Sequence, residues 1–182
     1  KRMSSSRPTE FDEAVVRAME KWPDVPECFG WLSLTRRGAW HIKGDLIEHA
    51  RAVEFLGRHY RGDDQGRWFV QNGPQRVFIA LDYTPWVFRF DAHSGFSSHT
   101  GIPCNDISDA FEDDEGNVLL TCGLGVGLVD DRDLAALSDH LEYDAEGRGG
   151  LHWNNGVLPL RSITRELVAR TFGFVADPEP TP

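Results

Sequence analysis

The chain has 182 residues, 40% hydrophobic and 26% charged, which is the composition of a folded domain and not of a disordered or fibrous chain. A formal net charge of −10 argues against a nucleic-acid backbone or an anionic membrane as its main partner. Three cysteines without a C-x-x-C pair speak against a disulfide framework and for reduced thiols in the cytoplasm, and no apolar run reaches the roughly 20 residues of a membrane helix.

Residues 1–29 read as an N-terminal tail and helix. Residues 1–8 are rich in Ser and Arg and are expected to be mobile. Thr9 starts a helix with acids at Glu10, Asp12 and Glu13, and Phe11, Val15, Ala18, Met19 and Trp22 fall on one face. Pro23 and Pro26 end it. Residues 30–90 read as a first α+β repeat. Trp31, Leu32 and Leu34 lead through Gly38 to Trp40 and Ile42, a β-hairpin, and a helix of about 46–59 follows. The strongest apolar density is Arg67–Phe90. Trp68–Gln71, Arg76–Leu81 and Trp86–Phe90 are expected as three strands of one antiparallel meander, with Trp40, Val77, Ile79, Trp86 and Phe88 in the core.

Residues 91–105 are small and polar and read as a linker. Residues 106–175 then repeat the first pattern and add a C-terminal helix of 163–172 capped by Ser162, with 176–182 as a tail. Strands are expected near 107–111 and 118–122, a helix over 130–141 with Leu137 buried, and a strand at 151–156. Aligning Gly44 with Gly125 gives 24 residues without a gap, in which His59 meets His140, Asp63 meets Asp144, Leu56 meets Leu137 and Arg67 meets Arg148. The fold class expected is α+β, two similar hairpin–helix–antiparallel-strand halves with a cleft between them, plus the N-terminal helix.

Gly123-x-Gly-x-Gly127 follows a strand, as a phosphate loop would, but it lacks the G-x-G-x-x-G spacing and is followed by Asp130-Asp131, which would repel phosphate. His93, His99 and Cys104 match no regular zinc spacing. Cys122 reads as core, and Cys104 has His99 nearby but no orienting acid. No cofactor, metal or catalytic residue is assigned. The set with most chemical content is polar: Gln71, Gln75 and Arg76 in the first half, with His152 and Asn154 in the second, beside Trp68 and Trp153. Arg76 enters an apolar strand, where its guanidinium needs an acid, water or a ligand.

The hairpin Gly30-Trp-Leu-Ser-Leu through Trp40-His-Ile-x-Gly44, the Asp64-x-Gly-Arg-Trp68 loop, Gln71-Asn-Gly-Pro-Gln-Arg-Val-Phe-Ile79 and Thr84-Pro-Trp-Val87 together resemble an uncharacterised proteobacterial family of unknown function. More distantly they are similar to a second such family with Pro-Val-Glu-Lys where this chain has Pro74-Gln75-Arg76. The resemblance implies an α+β fold of two similar halves with a cleft, and a suspected ligand-binding or signalling role without catalytic residues. The reading is a small-molecule-binding or regulatory module, with a homodimer among the states it allows and neither nucleic acid nor membrane as partner. The alternatives are an enzyme using Cys104, His99 or His152, and a protein-interaction domain.

Overall fold

The computed structural model describes residues 10–182. The expected cap at Thr9 and the expected mobile tail 1–8 lie outside them. The chain forms two compact units. One runs to Pro85 and takes up Gly173–Pro182 again at its end; the other is Trp86–Phe172.

The first unit contains α1 (Glu13–Lys21), β1 (Cys28–Leu34), β2 (Trp40–Ile42), β3 (Asp45–Leu46), α2 (Ala50–Arg58), β4 (Tyr60–Gly62), β5 (Trp68–Asn72) and β6 (Gln75–Leu81). Its sheet has the order β3-β2-β1-β6-β5-β4. The central pair β1 and β6 is parallel, and antiparallel hairpins continue outward on each side. Trp40, Tyr60, Val70 and Ile79 are at most 1% exposed. The Tyr60 hydroxyl donates to the Pro85 carbonyl at 2.7 Å. Burial pushes that phenol well above its ordinary pKa, so it stays a neutral donor.

The second unit contains β7 (Trp86–Asp91), β8 (Gly95–Ser98), β9 (Asp109–Asp113), β10 (Val118–Cys122), β11 (Gly125–Val129), α3 (Leu134–Leu137), β12 (Leu141–Tyr143), β13 (Gly149–Trp153), β14 (Gly156–Ile163) and α4 (Arg165–Phe172). Its sheet has the order β12-β13-β14-β9-β10-β11-β7-β8. Read from β11 to β12, this is the strand path of the first unit, with β9 and β14 as the central parallel pair and the β7–β8 hairpin added at the β11 side. The expectation of two similar α+β halves holds at this level.

Local chemistry explains the likeness. Hairpin loops begin with Thr35, Asp63, Asp113 or Asp144, and the glycine three residues later donates its N–H to that residue's carbonyl. The three Asp side chains each accept backbone N–H bonds from the residues two and four positions on. Thr35 does the same for Ala39 through its hydroxyl. Gly66, Gly116 and Gly147 sit at φ near +80°, which glycine adopts without steric cost.

Several expectations need correction. Trp86–Asp91 does not complete a meander with β5 and β6. The remaining edge of β6 is taken by β1, so β7 pairs instead with β8 and, in parallel, with β11. Residues 125–129 of the glycine-rich run form β11, not a loop opening a helix. A Cβ at Gly127 would overlap the Phe88 ring, so this glycine answers to packing. Gly127→Ala should therefore cost about 1–3 kcal/mol, the usual range for overpacking, and a urea melt checks it. The expected helix 130–141 is one α-turn, α3, between 3-10 turns at Asp131–Asp133 and Ser138–His140. The N-terminus of α4 is capped by the Asp114 carboxylate, which accepts the Arg165 N–H at 2.7 Å, and not by Ser162, which lies in β14. Residues 156–163 form a central strand despite Pro159. Pro159 faces Gly150 of β13, and parallel pairing with β9 begins only at Leu160, so no ladder bond needs its missing N–H. Residues 91–105 carry β8 and the fully buried Cys104. Cys104 is disulfide-bonded to Cys122, against the expectation of reduced thiols. The fold brings the segment after β8 to the end of β10, a meeting that the spacing of the cysteines does not signal.

Candidate functional site

Helix α2 is amphipathic, and such a helix ordinarily buries its apolar stripe. None of its residues is buried here. Between α2 and the sheet of the first unit lies a cavity of about 500 Å³. Ala52, Phe55 and Leu56 form its helix wall, and Leu32, Val70 and Val77 part of its sheet wall. The sheet wall is one face of the pleat: Val70 pairs with Val77, and Leu32 pairs with Ile42 and Ile79. Trp31 and Ile42 stand at its open side, 46% and 42% exposed. The Lys43 Nζ lies over the Trp31 ring, 3.7 Å from its centroid.

Among the described residues, no lining side chain is charged. The polar lining groups are the amides of Asn72 and Gln75 and the free thiol of Cys28. Asn72 and Gln75 pair with each other across the β5–β6 turn, which places both amides at one end of the cavity. The Gln75 Nε2 donates to the Pro26 carbonyl at 2.9 Å, which fixes the side chain at the rim.

The aligned helix position in the second unit is buried instead. Leu137, the counterpart of Leu56 in the 24-residue alignment, is 0% exposed, whereas Leu56 is only half-buried. The difference between the halves is therefore a packed core position in one and open apolar space in the other.

The polar residues singled out by sequence fall in different surroundings. Gln75 lines the cavity. Gln71 and Arg76 pair with each other on the opposite face of the sheet, as alternation demands. Gln71 is 1% exposed, and its Nε2 donates to the Gly73 carbonyl at 3.0 Å. Arg76 lays its guanidinium 4.6 Å from the Phe69 centroid. His152 and Asn154 belong to the second unit, beside an open depression shared with His140 and Trp153. His152 Nε2 lies 2.8 Å from Glu142 Oε2. Asn154, at φ +48° in the β13–β14 turn, donates to the Asn105 carbonyl at 3.2 Å. Cys28, Trp31, Phe55 and Leu56 were not among the sequence candidates, and Asn72 read there as ordinary turn chemistry. The only sign of them in the sequence is an apolar helix stripe facing an apolar strand face, which is also the pattern of a filled core.

Similarity to known proteins supports the fold and no activity. The DUF2944 family, described as "Protein of unknown function (DUF2946)", matches residues 11–179. A DUF1285 family protein from Silicibacter pomeroyi DSS-3 has a similar structure, with a TM-score of 0.54 at 18% identity, over 85% of this chain and 97% of that one. A second DUF1285 family protein, from Shewanella baltica OS155, matches with a TM-score of 0.44 at 15% identity, over 59% of this chain and 90% of that one. No curated protein matches the chain. No described helix is long and apolar enough to cross a membrane.

Proposed function

We propose, for a chain that belongs to the DUF2944 family of proteins of unknown function, that its first unit binds a small, uncharged, largely apolar molecule in the cavity under α2. One observation carries the reading: an amphipathic helix with no buried residue stands over an apolar cavity of about 500 Å³. That volume lies within the range of small-molecule sites, roughly 300–1,000 Å³. Leaving such space open forgoes dispersion contacts and keeps apolar surface in water, and a ligand would recover both. The Asn72 and Gln75 amides at one end suit a ligand whose polar group is an amide or hydroxyl. A carboxylate would meet no cation among the described lining residues to offset its desolvation.

The shared strand order of the two sheets supports reading the halves as an internal repeat. One copy keeps its helix–sheet space closed around Leu137, and the other uses the same space for binding. Occupancy that drew α2 against the sheet would give the module a regulatory output.

Medium-chain primary amides such as decanamide are suitable probes. Calorimetric titration should give saturable one-to-one binding. Leu56→Trp should fill the cavity and weaken binding at least tenfold, which is about 1.4 kcal/mol. Because the added side chain enters open space, a urea melt should show the free variant within about 1 kcal/mol of the parent. Equal affinity in Leu56→Trp would overturn the assignment.

A further inference from the structure

Away from the α2 cavity, the second unit gathers three metal-ligating side chains. The Cys104 and Cys122 sulfurs and an Asp106 carboxylate oxygen all lie within 4.8 Å of one another. We propose that this group is a redox-gated site for a thiophilic divalent cation, Zn²⁺, closed while the Cys104–Cys122 disulfide stands and opened when a dithiol reduces it.

The donor set has the right chemistry. Zn²⁺ takes thiolate sulfur at about 2.3 Å and carboxylate oxygen at about 2.0–2.2 Å, so donors of one tetrahedron stand roughly 3.5–4 Å apart. Two sulfurs released from a disulfide move apart toward such a spacing by van der Waals repulsion alone. Two thiolates and one carboxylate neutralise the ion and leave one net negative charge, and a water completes the fourth position. Access is one-sided. Cys104 is fully buried, Cys122 is half-buried, and Asp106 is exposed.

Hydrogen bonds independent of the disulfide hold the donors in place. The Cys104 N–H donates to the Phe96 carbonyl at 2.9 Å. The neighbouring Asn105 is clamped three ways: its side-chain oxygen accepts the Phe96 N–H at 2.9 Å, and its carbonyl accepts both Trp153 Nε1 at 3.1 Å and Asn154 Nδ2 at 3.2 Å. The Asp106 carboxylate accepts the Gly123 N–H at 3.0 Å, which fixes it beside the end of β10, where Cys122 sits. Reduction therefore leaves the three donors gathered, with the outer contacts that orient ligands in a metal centre already made.

The steps balance. A dithiol gives two electrons and two protons to the Cys104–Cys122 bond, leaving two protein thiols and the oxidised reductant. Zn²⁺ then displaces one proton from each thiol as the two Zn–S bonds form, so two protons are released per ion bound.

The test uses the full chain carrying Cys28→Ser, so that no other thiol contributes. Co²⁺ serves as the spectroscopic stand-in. After anaerobic reduction and removal of the reductant, one equivalent of Co²⁺ should give a thiolate-to-metal charge-transfer absorption that Zn²⁺ displaces. The oxidised protein should give none. Asp106→Asn should retain that absorption and bind Zn²⁺ roughly ten- to a hundredfold more weakly in chelator competition, and Cys122→Ser should lose it. Binding of equal strength to oxidised and reduced protein, or in Cys122→Ser, would overturn the proposal. So would loss of the native far-ultraviolet circular dichroism on reduction, because the hydrogen bonds would then not hold the donors.

Discussion

Trp86→Ala should destabilise the protein by about 3–5 kcal/mol, the usual loss for truncating a buried aromatic. Trp86 is 1% exposed at the start of β7, and its Nε1 donates to the Leu124 carbonyl at 2.9 Å. Its ring also lies against Gly125, and its backbone pairs in parallel with Gly127 of β11. Truncation opens a cavity, strands a buried carbonyl and loosens the strand joining β8 to the rest of the sheet. Urea unfolding followed by far-ultraviolet circular dichroism measures the loss. A shift of the midpoint worth less than about 1 kcal/mol would mean the ring carries little of the packing.

Acid should weaken the fold through His99. Its ring is buried, and burial pushes its pKa down to about 3. The Nδ1 accepts the Val87 N–H at 3.2 Å, and the His99 N–H donates to the Val87 carbonyl at 2.7 Å, so the folded chain holds the imidazole neutral between strand partners. In the unfolded chain the ring titrates near the ordinary 6.5. Below that pH the unfolded state binds the extra proton, so this contribution is complete above pH 6.5 and is lost as pH falls toward 3. The limiting slope is about 1.4 kcal/mol per pH unit. His99→Gln keeps an acceptor for the Val87 N–H and cannot charge. The stability gap between parent and variant should therefore narrow or reverse from pH 7 to pH 4. A gap independent of pH would show that His99 does not titrate between the two states.

The sequence revealed most where a residue's own chemistry decides its place. Trp40, Val77, Ile79, Trp86, Phe88 and Leu137 were expected in the core, and each is at most 8% exposed. The Asp- and Gly-bearing hairpin loops were legible because their hydrogen bonds close within five residues. Strand partners chosen across the chain were not. That β1 would take the free edge of β6, sending β7 to another sheet, depends on a parallel pairing between segments about 50 residues apart. The meeting of Cys104 with Cys122 depends on the same long-range order. The cavity was the least legible feature. Leu56 and Leu137 are the same residue type at the same point of the alignment, and only three dimensions distinguish a filled space from an open one.

The return of the chain to its first unit bears on the order of synthesis. Val175 donates to the Gly66 carbonyl and bridges to Arg67, and the Leu81 N–H donates to the Ala176 carbonyl. Residues 10–85 therefore leave the ribosome lacking partners that arrive only with Gly173–Pro182, after the whole of Trp86–Phe172 has been made. At about 5–20 residues per second, that wait lasts several seconds or longer. Through it the first unit stands with the Leu81 N–H at the end of β6 and the Gly66 turn uncovered, while the second unit emerges as an uninterrupted stretch that can close on itself. The segment emerging later is thus the one free to mature first, and the first unit is finished only by residues translated after the second.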